Sequence, residues 1–177
     1  MRKGLMFWLV FSASLVLFSC HEATPQSQSD PVDDKQLKES LEKANRYLAN
    51  EEEEDIQNYI ARHQLDMVAT GSGVRYQVIS EGEGDTIQQG QTVTMDYVLY
   101  NIRGEVIYSS ETEGPKTFVV GTGGVPSGLD EAMRHLHQGD VAKVIVPSHL
   151  GYGLPGDQKS IPPRATLIYS LRITSVR

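Results

Sequence analysis

The spacing with the most chemical promise in this chain lies in residues 151–167, GYGLPGDQKSIPPRATL: Tyr152 stands between two glycines, a polar stretch follows, and Ile161-Pro162-Pro163 leads into an apolar run. Two adjacent prolines fix φ and drive the preceding Ile161 towards extended backbone, so this loop is shaped before any ligand arrives. Such a loop suits the wall of a binding pocket; read more plainly, it is a stiff turn between two strands. Other groupings offer less. His135 and His137 stand two apart, which on a helix points them away from each other, and neither has a partner at metal-ligand spacing. They read as a surface pair, so no metal is expected. Ser109, Ser110 and Asp96 form no recognisable nucleophile arrangement with His149. The cluster of Gly121, Gly123 and Gly124 is a turn before a helix and lacks a phosphate-loop lysine. No cofactor is expected.

The elements that must position Tyr152 and the prolines follow from periodicity. From Thr70 onward apolar residues alternate: Val74, Tyr76 and Val78; Val93, Met95, Tyr97 and Leu99; the run around Val141, Lys143 and Ile145; and Leu167, Tyr169, Leu171 and Ile173. One short helix lies among them, with Ser127 and Asp130 in a capping-box-like arrangement and Gly139 as its stop. Strands, one central helix and strands again predict an α+β domain over residues 70–177, an antiparallel sheet curled around a short helix with one core. Upstream, Leu37, Leu41, Ala44 and Leu48 recur at three- and four-residue steps, and Ile56, Tyr59 and Ile60 resume the pattern after the acidic run 51–55. Residues 35–66 therefore read as a helical segment made of two short amphipathic helices, the acidic run being a solvated start to the second.

The first 19 residues have a different character. Arg2 and Lys3 precede an apolar run, the layout of a secretory signal rather than a permanent membrane span. The run ends at Leu17-Phe18-Ser19-Cys20, which resembles a bacterial lipobox. Cys20 is the only cysteine, and a thiol consumed by lipid explains a single cysteine in an exported chain. Lipid chains anchor a protein to a membrane without spanning it. Residues 20–34, mostly Gln, Ser, Pro, Thr and Asp, read as a flexible tether. Loss of the signal would remove Arg2 and Lys3 from the 16 basic residues, leaving 14 against 23 acidic ones, a net of −9. That balance argues against nucleic acid as a partner. Trp8, Phe7, Phe11 and Phe18 would leave as well, whereas all eight tyrosines would stay.

Several separate motifs in residues 74–177 resemble the FKBP family of peptidyl-prolyl cis-trans isomerases. GYGLPGDQKSIPPRATL is similar to the family's C-terminal signature, and VTMDYVLY to the strand carrying a pocket tyrosine. GEVIYSSETEGP resembles the following turn and strand, and GTGGVPSGLDEAM the loop into the central helix. The resemblance implies catalytic roles for Tyr97, Tyr152 and Tyr169. It implies substrate contacts for Ile107, Tyr108, Val125, Pro126, Leu129 and Ile161. The chain departs from the family pattern within the pocket. Ile107 and Tyr108 replace a Phe and an Asp, Lys116 aligns with an edge aromatic, and Leu129 replaces the floor Trp. Pro126 stands where the family has a residue whose backbone N–H holds a substrate carbonyl.

The resemblance and the lipobox together imply an envelope lipoprotein with its prolyl isomerase domain facing the periplasm, in the outer membrane of a Gram-negative bacterium. Its partners would be proline-containing exported polypeptides, and the membrane through the lipid on Cys20. The lead-in also looks like FKBP-like lipoproteins of Bacteroidetes, including those associated with gliding motility. The departures at Tyr108, Pro126 and Leu129 keep a second reading open, a binding module or chaperone with weak or no isomerase activity.

Overall fold

The computed structural model describes residues 34–177, so the signal, Cys20 and most of the tether lie outside the described residues. Met1–Glu39 forms one unit, of which only the start of a helix is described, and Ser40–Arg177 forms the other. Helix α1 runs from Asp34 to Arg62, 29 residues without a break. The two short helices expected from the sequence are thus one. Residues 51–55 interrupt the apolar period without ending the helix, because Glu is a good helix former and no Gly or Pro intervenes. Pairs one turn apart support this stretch: the Tyr47 hydroxyl donates to Glu51 at 2.6 Å and the Gln57 amide to Glu53 at 2.8 Å. The helix ends in a Schellman arrangement around Gln64 at φ 52, with Leu65 N–H donating to the Ile60 carbonyl at 3.1 Å and Gln64 N–H to the Ala61 carbonyl at 3.2 Å.

Seven strands follow: β1 (Val68–Ala69), β2 (Arg75–Ser80), β3 (Thr92–Tyr100), β4 (Val106–Ser109), β5 (Lys116–Val119), β6 (Val141–Val146) and β7 (Leu167–Val176). Two short helices interrupt them, α2 (Ser110–Glu113) between β4 and β5 and α3 (Ser127–Met133) between β5 and β6. All pairings are antiparallel in the order β1-β2-β6-β7-β3-β4, and β5 also pairs with β3. Strand β3 is long enough to share one edge between β5, opposite Thr92 to Met95, and β4, opposite Val98 to Tyr100. This is the expected α+β antiparallel sheet with a short helix, preceded by an N-terminal helix.

Period-two alternation explains how the sheet is buried on both faces. Val144 and Val146 of β6, with Leu167, Tyr169 and Leu171 of β7, join Leu129, Ala132 and Met133 of α3 in the main core. Ile145 and Ile168 point the other way and meet Ile56 and Tyr59 of α1 in a second cluster. Burying side chains of this size is worth roughly 1.5 to 3 kcal/mol each. The continuous apolar run at Val144-Ile145-Val146 therefore reflects two covered faces.

The expected capping of α3 is not formed. Pro126 is its N-cap, with no side-chain cap bond. Ser127 Oγ donates to the Leu150 carbonyl at 3.2 Å, and Asp130 Oδ1 accepts Gly121 N–H at 2.8 Å. The carboxylate is drawn to the glycine turn instead of the helix start. The helix stops at Met133, well before Gly139, which at φ 97 turns the chain into β6. Consequently neither histidine is helical. Exposed His135 stacks on Tyr76 with ring centroids 4.9 Å apart, and half-buried His137 places Nε2 2.9 Å from Thr86 Oγ1. His137 is thus more than the surface residue the sequence suggested.

Candidate active site

Tyr97, Tyr152 and Tyr169 come to one small cavity of about 60 Å³, together with Tyr108, Val125, Pro126 and Leu129. Each arrives on a different element. Tyr97 lies inside β3, where its N–H donates to Ser110 Oγ at the start of α2 at 3.1 Å, so the Ser-Ser turn is tied to the strand that carries it. Tyr169 lies on β7 and is 3 % exposed; its ring centroid is 6.4 Å from that of Tyr97, with the planes tilted by 49°. Tyr152 lies on the loop after β6 and is 39 % exposed, so it forms the rim. Leu129 of α3, 1 % exposed, closes the bottom with Met95 and Leu99 of β3. A larger groove of about 510 Å³ runs between α1 and residues 162–166, but it is lined by Glu51, Glu52, Asp55 and Arg103 and contains none of the tyrosines. The small apolar cavity is therefore the candidate.

Two residues assigned to substrate contact from the sequence do not line this cavity. Ile161 is 3 % exposed and belongs to the main core, and Ile107 packs on that core from β4. Tyr108 lines the cavity, whereas Ile107 stands at an irregularity in the pairing of β4 with β3 and packs on the core without lining it. Pro162-Pro163 also lies elsewhere, on the groove beside α1. Lys116 reaches the cavity edge.

The electrostatics favour neutral phenols. Burial pushes all three tyrosines above their ordinary pKa, most strongly Tyr169, and neighbouring charges add to this: Glu113 for Tyr97, Asp157 for Tyr152. Among the described residues none of the three hydroxyls has a hydrogen-bond partner, and none is sealed away, since the one buried side-chain polar atom without a partner is Gln77 Oε1. Three protonated O–H donors thus remain available to a ligand in an otherwise apolar site.

Asp157 is a site residue that sequence reasoning missed. It sits in the polar part of the loop, and nothing in the spacing marks it. Its carboxylate accepts the Tyr108 hydroxyl and the N–H groups of Lys159 at 2.9 Å and Ile161 at 2.8 Å. It thereby joins β4 to the loop bearing Tyr152 and sets the loop's turn. Burial would raise its pKa, but these bonds to the charged form outweigh burial and hold it below the ordinary carboxylate range. A lowered folded-state pKa contributes stability that is complete above the unfolded value and fades as pH falls through the folded one. Tyr108→Phe removes one of those bonds. The difference in melting temperature between wild type and Tyr108→Phe is therefore expected to be larger at pH 6 than at pH 3, and an equal difference at both would show that the bond does not depend on the ionised carboxylate.

The model of the family described as FKBP-type peptidyl-prolyl cis-trans isomerase matches residues 84–174. The chain is 32 % identical over 106 residues to FK506-binding protein 1 of Dictyostelium discoideum, a match covering 59 % of this chain and 99 % of that protein. It is 35 % identical over 112 residues to the outer membrane protein MIP of Legionella longbeachae, covering 63 % of this chain but 47 % of that protein. Among solved structures it is similar to FkpA from Escherichia coli, with TM-score 0.63 and 24 % identity over 83 % of this chain and 74 % of that one, a likeness of fold.

Proposed function

The chain belongs to the FKBP-type peptidyl-prolyl cis-trans isomerases, and from that premise we propose that it acts at a cell envelope, tethered through lipid on Cys20, on proline-containing exported polypeptides. The cavity described above is the proposed site. Tyr97, Tyr152 and Tyr169 are its catalytic residues, with Tyr108, Val125, Pro126 and Leu129 contacting substrate and Ile107 and Ile161 backing the walls. The observation that carries the assignment is the meeting of three unpartnered, neutral tyrosines on one apolar cavity.

The reaction needs no nucleophile. Rotation about an X-Pro bond faces a barrier of about 18 to 20 kcal/mol, because the planar amide is held by resonance. In the twisted transition state that resonance is lost and the amide is less dipolar. An apolar, water-poor cavity therefore disfavours the planar form relative to the twisted one, and only this difference accelerates the step. Tyrosine O–H groups around the cavity can hold the carbonyls that flank the ring, so that rotation is confined to one bond.

Two features favour slow turnover. Leu129 leaves a shallower floor than an indole would, and Pro126 offers no N–H to a substrate carbonyl. A net hydrogen bond of about 0.5 to 1.5 kcal/mol is absent there, up to roughly tenfold in rate if felt fully in the transition state.

Anchoring is tested separately. No described helix is long and apolar enough to cross a membrane, so Cys20→Ser is expected to move the protein from the membrane pellet to the soluble fraction or to block its processing. A processed Cys20→Ser protein that still sediments with membranes would refute the lipid tether.

A further inference from the structure

The acidic run of α1 does more than solvate a helix. Glu52 is half-buried, and its Oε1 accepts Ser148 N–H at 2.6 Å and the Thr166 hydroxyl at 2.6 Å, while Oε2 accepts the Ser148 hydroxyl at 2.8 Å. Ser148 and Thr166 are 4 % and 5 % exposed. They are the two feet of the excursion between β6 and β7, residues 149–165, which carries Tyr152, Asp157 and Ile161. The path from Glu52 to the cavity is short. The Ser148 carbonyl accepts N–H from Gly151 at 3.1 Å and from Gly153 at 2.9 Å, the residues on either side of Tyr152. On the returning limb, Arg164 N–H donates to the Gly153 carbonyl at 2.8 Å. Hydrogen bonds to an ionised acceptor are about twice as strong as neutral ones, and Glu52 makes three. A long excursion with little regular structure depends on such ties for a fixed shape.

We propose that Glu52 is a positioning residue for the prolyl pocket: from α1 it clamps both feet of the loop that carries Tyr152, and so couples the helix to the pocket rim. This rests on the reading of Tyr152 as a pocket residue. The coupling is a free energy shared between two places, so it is reciprocal. Loosening the helix frees Tyr152, and a ligand that fixes Tyr152 steadies the helix. Neighbouring Glu53 supplies the control. It pairs with Arg75 of β2 at 2.5 Å and fastens the same helix to the sheet without touching the loop.

The experiment follows amide hydrogen exchange in the full chain, in Glu52→Ala, Glu52→Gln and Glu53→Gln, alongside isomerisation of a Leu-Pro peptide. Glu52→Ala, which removes all three bonds, is expected to speed exchange in residues 149–165 by at least about tenfold, the scale of losing a single bond to a charged group. Amides of β3 and β7 keep their protection. In the same variant kcat/KM falls several-fold, and Glu52→Gln, which keeps an acceptor oxygen for Ser148 N–H, recovers part of both effects. Glu53→Gln leaves the loop's exchange unchanged. Unaltered exchange in residues 149–165 of Glu52→Ala, or a rise shared equally by every strand, would overturn the proposal. Should Glu52→Ala fail to fold, Glu52→Gln against Ser148→Ala makes the same comparison, with faster loop exchange expected in both. An inactive wild-type chain would sink the functional reading, while the exchange data would still decide whether Glu52 holds the loop.

Discussion

Gly156→Ala is expected to lower kcat/KM for a Leu-Pro peptide by about a hundredfold while leaving the sheet intact. Gly156 has φ 63, and a Cβ placed on it would lie 2.1 Å from the Ile161 carbonyl oxygen and 2.9 Å from the Pro162 carbonyl carbon. Both are backbone atoms, so no side chain can rotate out of the way. At this point the loop closes on itself: Asp157 N–H donates to the Ile161 carbonyl at 3.2 Å, and the Asp157 carboxylate takes Ile161 N–H in return. Making room for a methyl group must open that closure and shift Asp157, its tie to Tyr108, and the rim bearing Tyr152. A displacement of about 1 Å in a positioning group can cost on the order of a hundredfold in rate. The strands lie outside this loop, so circular dichroism should be unchanged. Near wild-type activity in a folded Gly156→Ala chain would mean that the rim does not contribute to turnover.

The opposite direction is expected of a repaired pocket. Pro126→Ile with Leu129→Trp should raise kcat/KM by roughly tenfold, the worth of about 1.4 kcal/mol in the transition state. Ile restores a backbone donor at the start of α3, and Trp extends the floor towards a bound proline ring. Neither change alone should give the full gain, because a ring and its carbonyl must be held together for either contact to favour the twisted amide. Leu129 is fully buried, so overpacking by an indole costs stability. The melting temperature of the double variant must therefore be measured before its rate is interpreted. A folded double variant with no gain would place substrate somewhere other than this cavity.

The sheet was legible because its strands alternate, and Tyr97 and Tyr169 fall on the cavity face for the same reason. Tyr152 reaches the cavity as the resemblance implied, whereas the stiff prolines beyond it lie on the groove beside α1. Other features were not, for identifiable physical reasons. An acidic interruption in an apolar stripe looks like a helix boundary, yet glutamates continue a helix as well as they begin one, and α1 runs through 51–55. Strand β5 is four residues long with only Phe118 fully buried, too short for alternation to register. Asp130 is three residues from Ser127, the right distance for a cap, but its carboxylate is used by the Gly121 turn across the loop. Most of all, Asp157, beyond its local bonds to Lys159 and Ile161, meets Tyr108 across 49 residues of sequence, and Glu52 meets Ser148 and Thr166 across 96 and 114. A polar side chain whose partners come only with the tertiary fold leaves no local periodicity to read.

The tyrosine-lined cavity is expected to perform prolyl isomerisation, slowed by the missing donor at Pro126. The most direct test is the rate at which the wild-type chain isomerises a short Leu-Pro peptide, compared with a Tyr97→Ala, Tyr169→Ala double variant shown to be folded. The expected result is a measurable rate, roughly tenfold below that of a family member with a backbone donor at the position of Pro126, and its loss when the two rings are removed. A rate unchanged by their removal would contradict the assignment of the cavity as the catalytic site.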